Sequence, residues 1–432
     1  MNTMFTAFII AFVLLALLEM PLFTVIAGLS MVCFYSIDSD MLALQTILIE
    51  MNRLASMPVL MALPLFTFVG CLLTETQAPR RIMNFMHALL GWLPGSLAVA
   101  AVCSCAFFTA LTGASGVTIV ALGGLLYPIL LKRAYPERFT LGLLTTSGSR
   151  GLLFPPSLPV ILYGVVAQIE IPLIFEAALV PGILAVLLFS IYAFCHQCVL
   201  QRGRRRELSE DGFSLERIKA AFIDSLWDWP VVVIIIVGVY GGFATIGEIS
   251  VLVLVYVVVT ECFILREVHI TRQLPSIVIE SAILSGAIIV ILGFALGFTG
   301  FLVEEQIPGR ILGILKDLTQ SKYVFLAGLN LFLLGVGCIM DIFSAIVVIV
   351  PIMVPIAATY GIDPIHLCII FLVNLEIGYS TPPVGMNLFI ASLKFQKPVT
   401  SLYRASFPFL MLMLAFLVFI TYVPGASLYF IR

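Results

Sequence analysis

The sequence predicts an all-α polytopic membrane protein made of two inverted halves. Three observations lead there: a composition too apolar for a soluble chain, basic residues that sort to one side of a consistent set of spans, and a broken passage that occurs twice. Hydrophobic residues fill 61% of the 432 positions and charged residues 11%, with a mean hydropathy of +1.16. Soluble proteins carry about 25% charged residues, so this chain lacks the polar coat that a soluble core of its size requires.

Apolar runs of spanning length, roughly 20 residues, lie near 5–18, 21–35, 55–74, 171–199, 229–245, 247–265, 277–303 and 405–430. The first two are short and divided at Glu19-Met20-Pro21, which reads as a tight helical pair. No Lys or Arg precedes Arg53, so the first run lacks the basic leader of a secretory signal peptide. It reads as a mature first helix with its N-terminus outside.

Charge placement tests these spans. The cluster "QRGRRRE" (201–207) belongs in the cytoplasm. Counting spans outward from it puts Arg80, Arg81, Lys132, Arg133, Arg138, Arg202, Arg204, Arg205, Arg206, Arg217, Lys219, Arg266, Arg272, Lys394, Lys397 and Arg404 inside, and Arg53, Arg310, Lys316, Lys322 and Arg432 outside. The division is 16 against 5, with Arg150 left at membrane depth. It requires that 92–131 and 323–360 do not cross. Each holds two arms too short and too broken for two good spans, and each reads as a re-entrant hairpin.

The second half repeats the first. "GSRGLLFPPS" (148–157) aligns with "LEIGYSTPPV" (375–384) at an offset of 227, pairing Gly151 with Gly378 and the Pro155-Pro156 pair with Pro382-Pro383. The same offset sets Pro128 on Pro355, and "ETQAPRRI" (75–82) resembles "EEQIPGRI" (304–311) at an offset of 229. One hairpin opens to each side, so the halves are inverted. Inverted repeats with broken helices at matching positions mark secondary transporters, because a break frees carbonyls and N–H groups near the midplane. Proline supplies the break, since it lacks an N–H and clashes with the preceding turn. The basic stretch 200–226, with the amphipathic "LERIKAAFIDSLWDW", reads as an interfacial linker.

The segments "LPLFTFVG" (63–70), "TALTGASGVTIVALGG" (109–124), "GLLFPPSLPVILYG" (151–164), "CIMDIFSAIVVIVPIMVPI" (338–356) and "GIDPIHLCIIFLVNLEIGYSTPPVGMNLF" (361–389) resemble the large membrane subunit of tripartite ATP-independent periplasmic (TRAP) transporters. The resemblance covers nearly the whole chain. This sequence departs from the usual pattern at "TGASGVT" and at Arg150. The resemblance implies an elevator-type ion-transporter fold in the bacterial inner membrane, driven by two or more sodium ions. It also implies a small four-helix membrane subunit, a periplasmic substrate-binding protein and an organic-acid substrate such as a dicarboxylate, sialic acid or another sugar acid. On that plan 1–53 is an N-terminal pair and arm, and 54–199 a first repeat with hairpin 92–131 and broken helix 139–168. Residues 227–275 are scaffold, and 276–432 a second repeat with hairpin 323–360 and broken helix 364–393.

Sodium takes oxygen ligands. The tip "LTGASG" (111–116) facing "SGSRG" (147–151) offers Thr112, Gly113, Ser115, Gly148 and Ser149, and "GVGCIMD" (335–341) with "GYSTPP" (378–383) offers Gly337, Asp341, Gly378 and Thr381. The plainer reading is that these small residues only let helices pack closely. An arginine at bilayer depth costs a few kcal/mol or more, so an anion should face Arg150. A substrate carboxylate suits the guanidinium fork; a structural pair with Asp341 or Glu376, or snorkelling to the cytoplasm, serves as well. Ser115, Asp341, Thr381 and Asn387 complete the candidate substrate site, with Asn387 also read as a brace of the broken helix.

Other patterns carry little. "CSC" (103–105) and "CHQC" (195–198) sit in apolar helix, where cysteine acts as a small hydrophobe. The four histidines form no zinc motif and no phosphate loop occurs, so neither nucleotide nor nucleic acid is expected. Two rival functions are a stand-alone sodium/carboxylate symporter and an intramembrane enzyme built on Arg150 and Asp341. The repeat argues against the enzyme, since catalysis needs one asymmetric constellation.

Overall fold

A computed structural model describes residues 22–37, 42–91, 95–201, 214–306, 309–313, 319–382 and 385–431. The apolar run at 5–18, the start of the first hairpin at Trp92, the "RGRRRE" cluster, Lys316, Pro383 and Arg432 lie outside these residues. Among the described residues every regular element is helical, as hydrocarbon demands: a helix satisfies its own backbone groups where no water can.

The first helices, α1 (Leu22–Ile37) and α2 (Leu42–Ala55), lead through a 69° bend at Pro58 into α3 (Ala62–Thr74). Pro79 opens α4 (Ala78–Leu90), where a missing N–H costs nothing. Next come α5 (Ser96–Thr112) and α6 (Ser115–Lys132), joined by the two-residue tip Gly113-Ala114. Gly113 has φ +66°, the left-handed C-cap that glycine adopts without strain. Two half-helices, α7 (Glu137–Ser147) and α8 (Leu158–Ala167), flank the stretch 148–157. The long span α9 (Ile171–Gln201) closes the first half.

The second half starts at the amphipathic α10 (Leu215–Asp224), capped by the Ser214 hydroxyl, and bends by 78° into α11 (Trp229–Gly241). Leu215, Phe222 and Ile223 stand exposed along α10, in keeping with an interfacial position. A Thr245/Glu248 capping box begins α12 (Ile246–Ile264), and α13 (Leu274–Glu304) follows. The second hairpin is α14 (Lys322–Ile339) and α15 (Ile342–Thr359); the second broken helix is α16 (Pro364–Gly378) and α17 (Met386–Phe395). The last span is α18 (Val399–Tyr422). Pro424 ends it early, so the apolar run 405–430 is not one helix.

Six helices among the described residues are long and apolar enough to cross a membrane: α6, α9, α12, α13, α15 and α18. This corrects the reading of one arm in each hairpin as too short, while the other arms, α5 and α14, fall below spanning length. The outer arms α6 and α15 are continuous through 18 residues each. Pro128 in α6 and Pro351 and Pro355 in α15 stay inside helix, and α6 absorbs a π segment at Ile119–Gly123. Membrane helices tolerate such residues because neighbours and local readjustment pair the freed backbone groups.

Packing links the halves reciprocally. The second half-helix of each break lies on the other half's hairpin, α8 against α15 and α17 against the π segment of α6. Separately, α13 gathers α1, α2 and α3, and α12 joins α3 to α11. An ion cluster fastens α4 to this second body. Arg81 bonds Asp228 through Nε and Nη2 (2.9 Å each), Glu261 through Nη2 (3.0 Å) and Glu267 through Nη1 (2.5 Å). Burial opposes the Arg81 charge, but the Asp228 hydrogen bond and the three carboxylates outweigh it and hold its pKa above the ordinary arginine value.

Candidate functional site

Between α7 and α8 the helical ladder gives way to short turns. Arg150 N donates to Ser147 O, Leu152 N to Ser149 O, Phe154 N to Gly151 O and Ser157 N to Phe154 O. Pro155 and Pro156 have no N–H to continue the ladder. The second break is alike: Ser380 N donates to Ile377 O and Thr381 N to Gly378 O, after which Asn387 N returns to Tyr379 O at 3.0 Å. Helices α6, α8, α15 and α17 all begin at a tip or break, so their first-turn N–H groups need partners from outside the helix.

These parts touch. Ser115 Oγ donates to Asn387 Oδ1 at 2.8 Å, closing the first hairpin tip on the second broken helix. The Thr109 hydroxyl donates to the Gly148 carbonyl at 2.8 Å and lies 2.7 Å from the Thr118 hydroxyl. Leu158 packs directly on Gly113. At the second tip Gly337 and Gly378 meet backbone to backbone, so a Cβ on Gly378 would lie 2.4 Å from the Gly337 carbonyl carbon. The Ile342 N–H donates to the Tyr379 hydroxyl.

The predicted site residues thus divide. Ser115, Asn387, Gly148, Gly113, Gly337 and Gly378 gather at the two junctions. The Thr112 hydroxyl faces the Ala114 carbonyl at 3.5 Å. Thr381 is turned back on its own helix and donates to Ile377 O at 2.7 Å. Asp341 is the N-cap of α15, accepting from Ser344 N at 3.0 Å and from the Ser344 hydroxyl. Ser149 faces Arg150, accepting from Nη2 at 2.9 Å.

Arg150 turns away from the first hairpin tip. Its guanidinium is buried between α9, α16 and α18, with Nη1 3.1 Å from Glu376 Oε2 and the carbon centre 4.8 Å from the Phe189 ring centroid. Nε donates to Thr146 O at 3.2 Å, and Met413 sulfur covers Nη1. Of the two carboxylates expected as structural partners, the one that faces Arg150 is Glu376 and not Asp341. The pair joins matching places in the repeat, since the 227 offset puts Glu376 opposite Ser149 and Ile377 opposite Arg150.

Several polar atoms near the breaks are buried without a hydrogen-bond partner among the described residues: Asn387 Nδ2 and the hydroxyls of Thr145, Ser147, Ser157 and Ser380. Buried polar groups are almost always paired, so these atoms are where a partner from outside the chain would bond. Sequence reasoning did not single out Thr109, Thr145, Ser147, Ser157 and Ser380, although Ser147, Ser157 and Ser380 lie inside passages it marked and Thr109 and Thr145 lie two residues from one. The tips and breaks hold no lysine or arginine other than Arg150.

The family model for the DctM component of tripartite ATP-independent periplasmic transporters matches residues 8–426. The chain belongs to that family. The C4-dicarboxylate TRAP transporter large permease protein DctM of Pseudomonas aeruginosa is 33% identical over 403 residues, covering 93% of this chain and 92% of that one. The isethionate TRAP transporter permease protein DctMQ of Oleidesulfovibrio alaskensis is 34% identical over 88% of this chain, which spans 59% of that longer relative. An ectoine/5-hydroxyectoine TRAP large permease, UehC of Ruegeria pomeroyi, is 27% identical over 96% of both chains. In fold the chain is similar to the YdaH transporter of Alcanivorax borkumensis, described as having an unusual topology. The TM-score is 0.64 at 13% identity, over 89% of this chain and 90% of that one. A DctM component is a membrane transport subunit and not an enzyme, which removes the intramembrane-enzyme alternative.

Proposed function

We propose that this DctM component imports an organic acid delivered by a periplasmic binding protein, and that sodium ions supply the positive charge in its translocation site. The charge balance of the junction carries the reading. Arg150 is neutralised by Glu376, and the tips and breaks offer no second cationic side chain. An anion entering there meets the N–H ends of α6, α8 and α17, each equivalent to roughly half a positive charge at most, while the α15 end is already capped by the Asp341 carboxylate. Oxygen-rich turns beside those ends suit sodium. Two such junctions, one at each hairpin, accommodate two or more ions.

The substrate class rests on relatives named for C4-dicarboxylates and isethionate, both anions. The inverted halves and their reciprocal packing support alternating access by an elevator movement of the hairpins and broken helices against α1–α3 and α11–α13. A small four-helix membrane subunit completes the assembly, and the N-terminus faces the periplasm. Uptake of a C4-dicarboxylate into proteoliposomes, with the binding protein present, should need an inward sodium gradient and no ATP. Equal uptake in potassium-only buffer would remove sodium coupling, and full uptake without the binding protein would favour the stand-alone symporter.

A further inference from the structure

Beside the first hairpin lies a cleft of about 340 Å³ that the transport reading leaves unused. Its inner end is formed by Ala110 and Leu111 of α5 and by Pro155 of the first break; its mouth is formed by Ile183 and Leu187 of α9 and Ile236 of α11. The inner end is therefore one residue from Thr112 at the hairpin tip. The mouth is the opposite kind of place. Ile183, Leu187 and Ile236 are 44%, 49% and 49% exposed, and they continue onto the open apolar faces of α9 and α11.

Depth identifies what fills it. Ile183 and Leu187 sit near the middle of the 28-residue span Ile171–Cys198, and Ile236 near the middle of α11. At that level the protein borders hydrocarbon, so neither a lipid headgroup nor water reaches the mouth. Apolar cavities of this kind stay dry. A void would forfeit the dispersion contacts of every side chain lining it. We propose that one acyl chain of a bilayer phospholipid inserts here and seals the flank of the first hairpin. The cleft continues the exposed apolar faces of α9 and α11 inward, to the wall behind the broken helix. The inference rests on the membrane position of the chain and is independent of sodium coupling.

The test uses the full chain in nanodiscs of phosphatidylcholine carrying a mid-chain diazirine, with cross-linked peptides mapped by mass spectrometry. Wild-type protein should be labelled on α5 around Cys103–Leu111 more strongly than on the outer face of α13 around Ile283, which is 68% exposed and meets bulk lipid. Ala110→Phe, which fills the inner end, should reduce the α5 label severalfold and leave the Ile283 label unchanged. Should Ala110→Phe fail to fold, Leu187→Trp at the mouth should produce the same selective loss. An α5 label no stronger than the Ile283 label, or one that persists unchanged in the filled variants, overturns the proposal. Loss of the α5 label whenever a copurifying membrane protein is present overturns it as well, and would assign the cleft to a partner helix.

Discussion

Arg150 and Glu376 are 2% and 1% exposed at the side chain, and each is the other's compensation. Removing one partner of a buried pair strands a charge at a cost of about 3–5 kcal/mol, whereas replacing both with apolar residues is often neutral. Arg150→Met alone should therefore unfold at markedly lower temperature in detergent, and Arg150→Met with Glu376→Leu should recover most of the loss. The folded double variant should also keep uptake; a folded but inactive double variant would return Arg150 or Glu376 to the substrate path. The sequence revealed a charge at membrane depth that needed an anion and named Glu376 among the candidates. It could not choose, because a separation of 226 positions carries no distance information and Asp341 satisfied the same argument.

At the scale of elements, close approach explains the breaks. A Cβ on Gly151 would lie 2.1 Å from the Ala106 carbonyl oxygen and 2.5 Å from the Ala110 nitrogen, both backbone atoms that cannot yield. Gly151→Ala should thus separate the first break from α5 and lower the unfolding temperature. Gly286→Ala, with nothing within 4 Å of the new carbon, should be neutral or gain up to roughly 1 kcal/mol from helix propensity. Both breaks were legible, since paired glycines and prolines recur at a fixed offset in two apolar contexts. The outer hairpin arms were not: proline reads as a breaker in isolation, yet Pro128, Pro351 and Pro355 are carried within helix by neighbouring segments. The Arg81 cluster was also hidden, with its partners 147 to 186 residues away. Arg81→Met should leave three carboxylates unmatched where α4 meets α11 and α12. It should destabilise by about 3–5 kcal/mol, read as a fall in the unfolding temperature, and Arg81→Lys should restore only part because one ammonium lacks the planar fork.

Across the whole molecule, the two halves are bound to one another by exchange: each broken helix rests on the opposite hairpin. Composition revealed the membrane class, and the recurring glycine and proline passages marked both breaks. Which half-helix crosses to which hairpin is set by packing between distant segments and is visible only in three dimensions. That exchange brings four helix N-termini to two adjoining junctions with no uncommitted cationic side chain, and we propose that sodium completes this site. Equilibrium binding of the transported organic acid to the purified subunit tests it most directly, titrating sodium against potassium at constant ionic strength. Binding should rise saturably with sodium, vanish in potassium, and persist in the Arg150→Met, Glu376→Leu double variant. Equal affinity in potassium would contradict it.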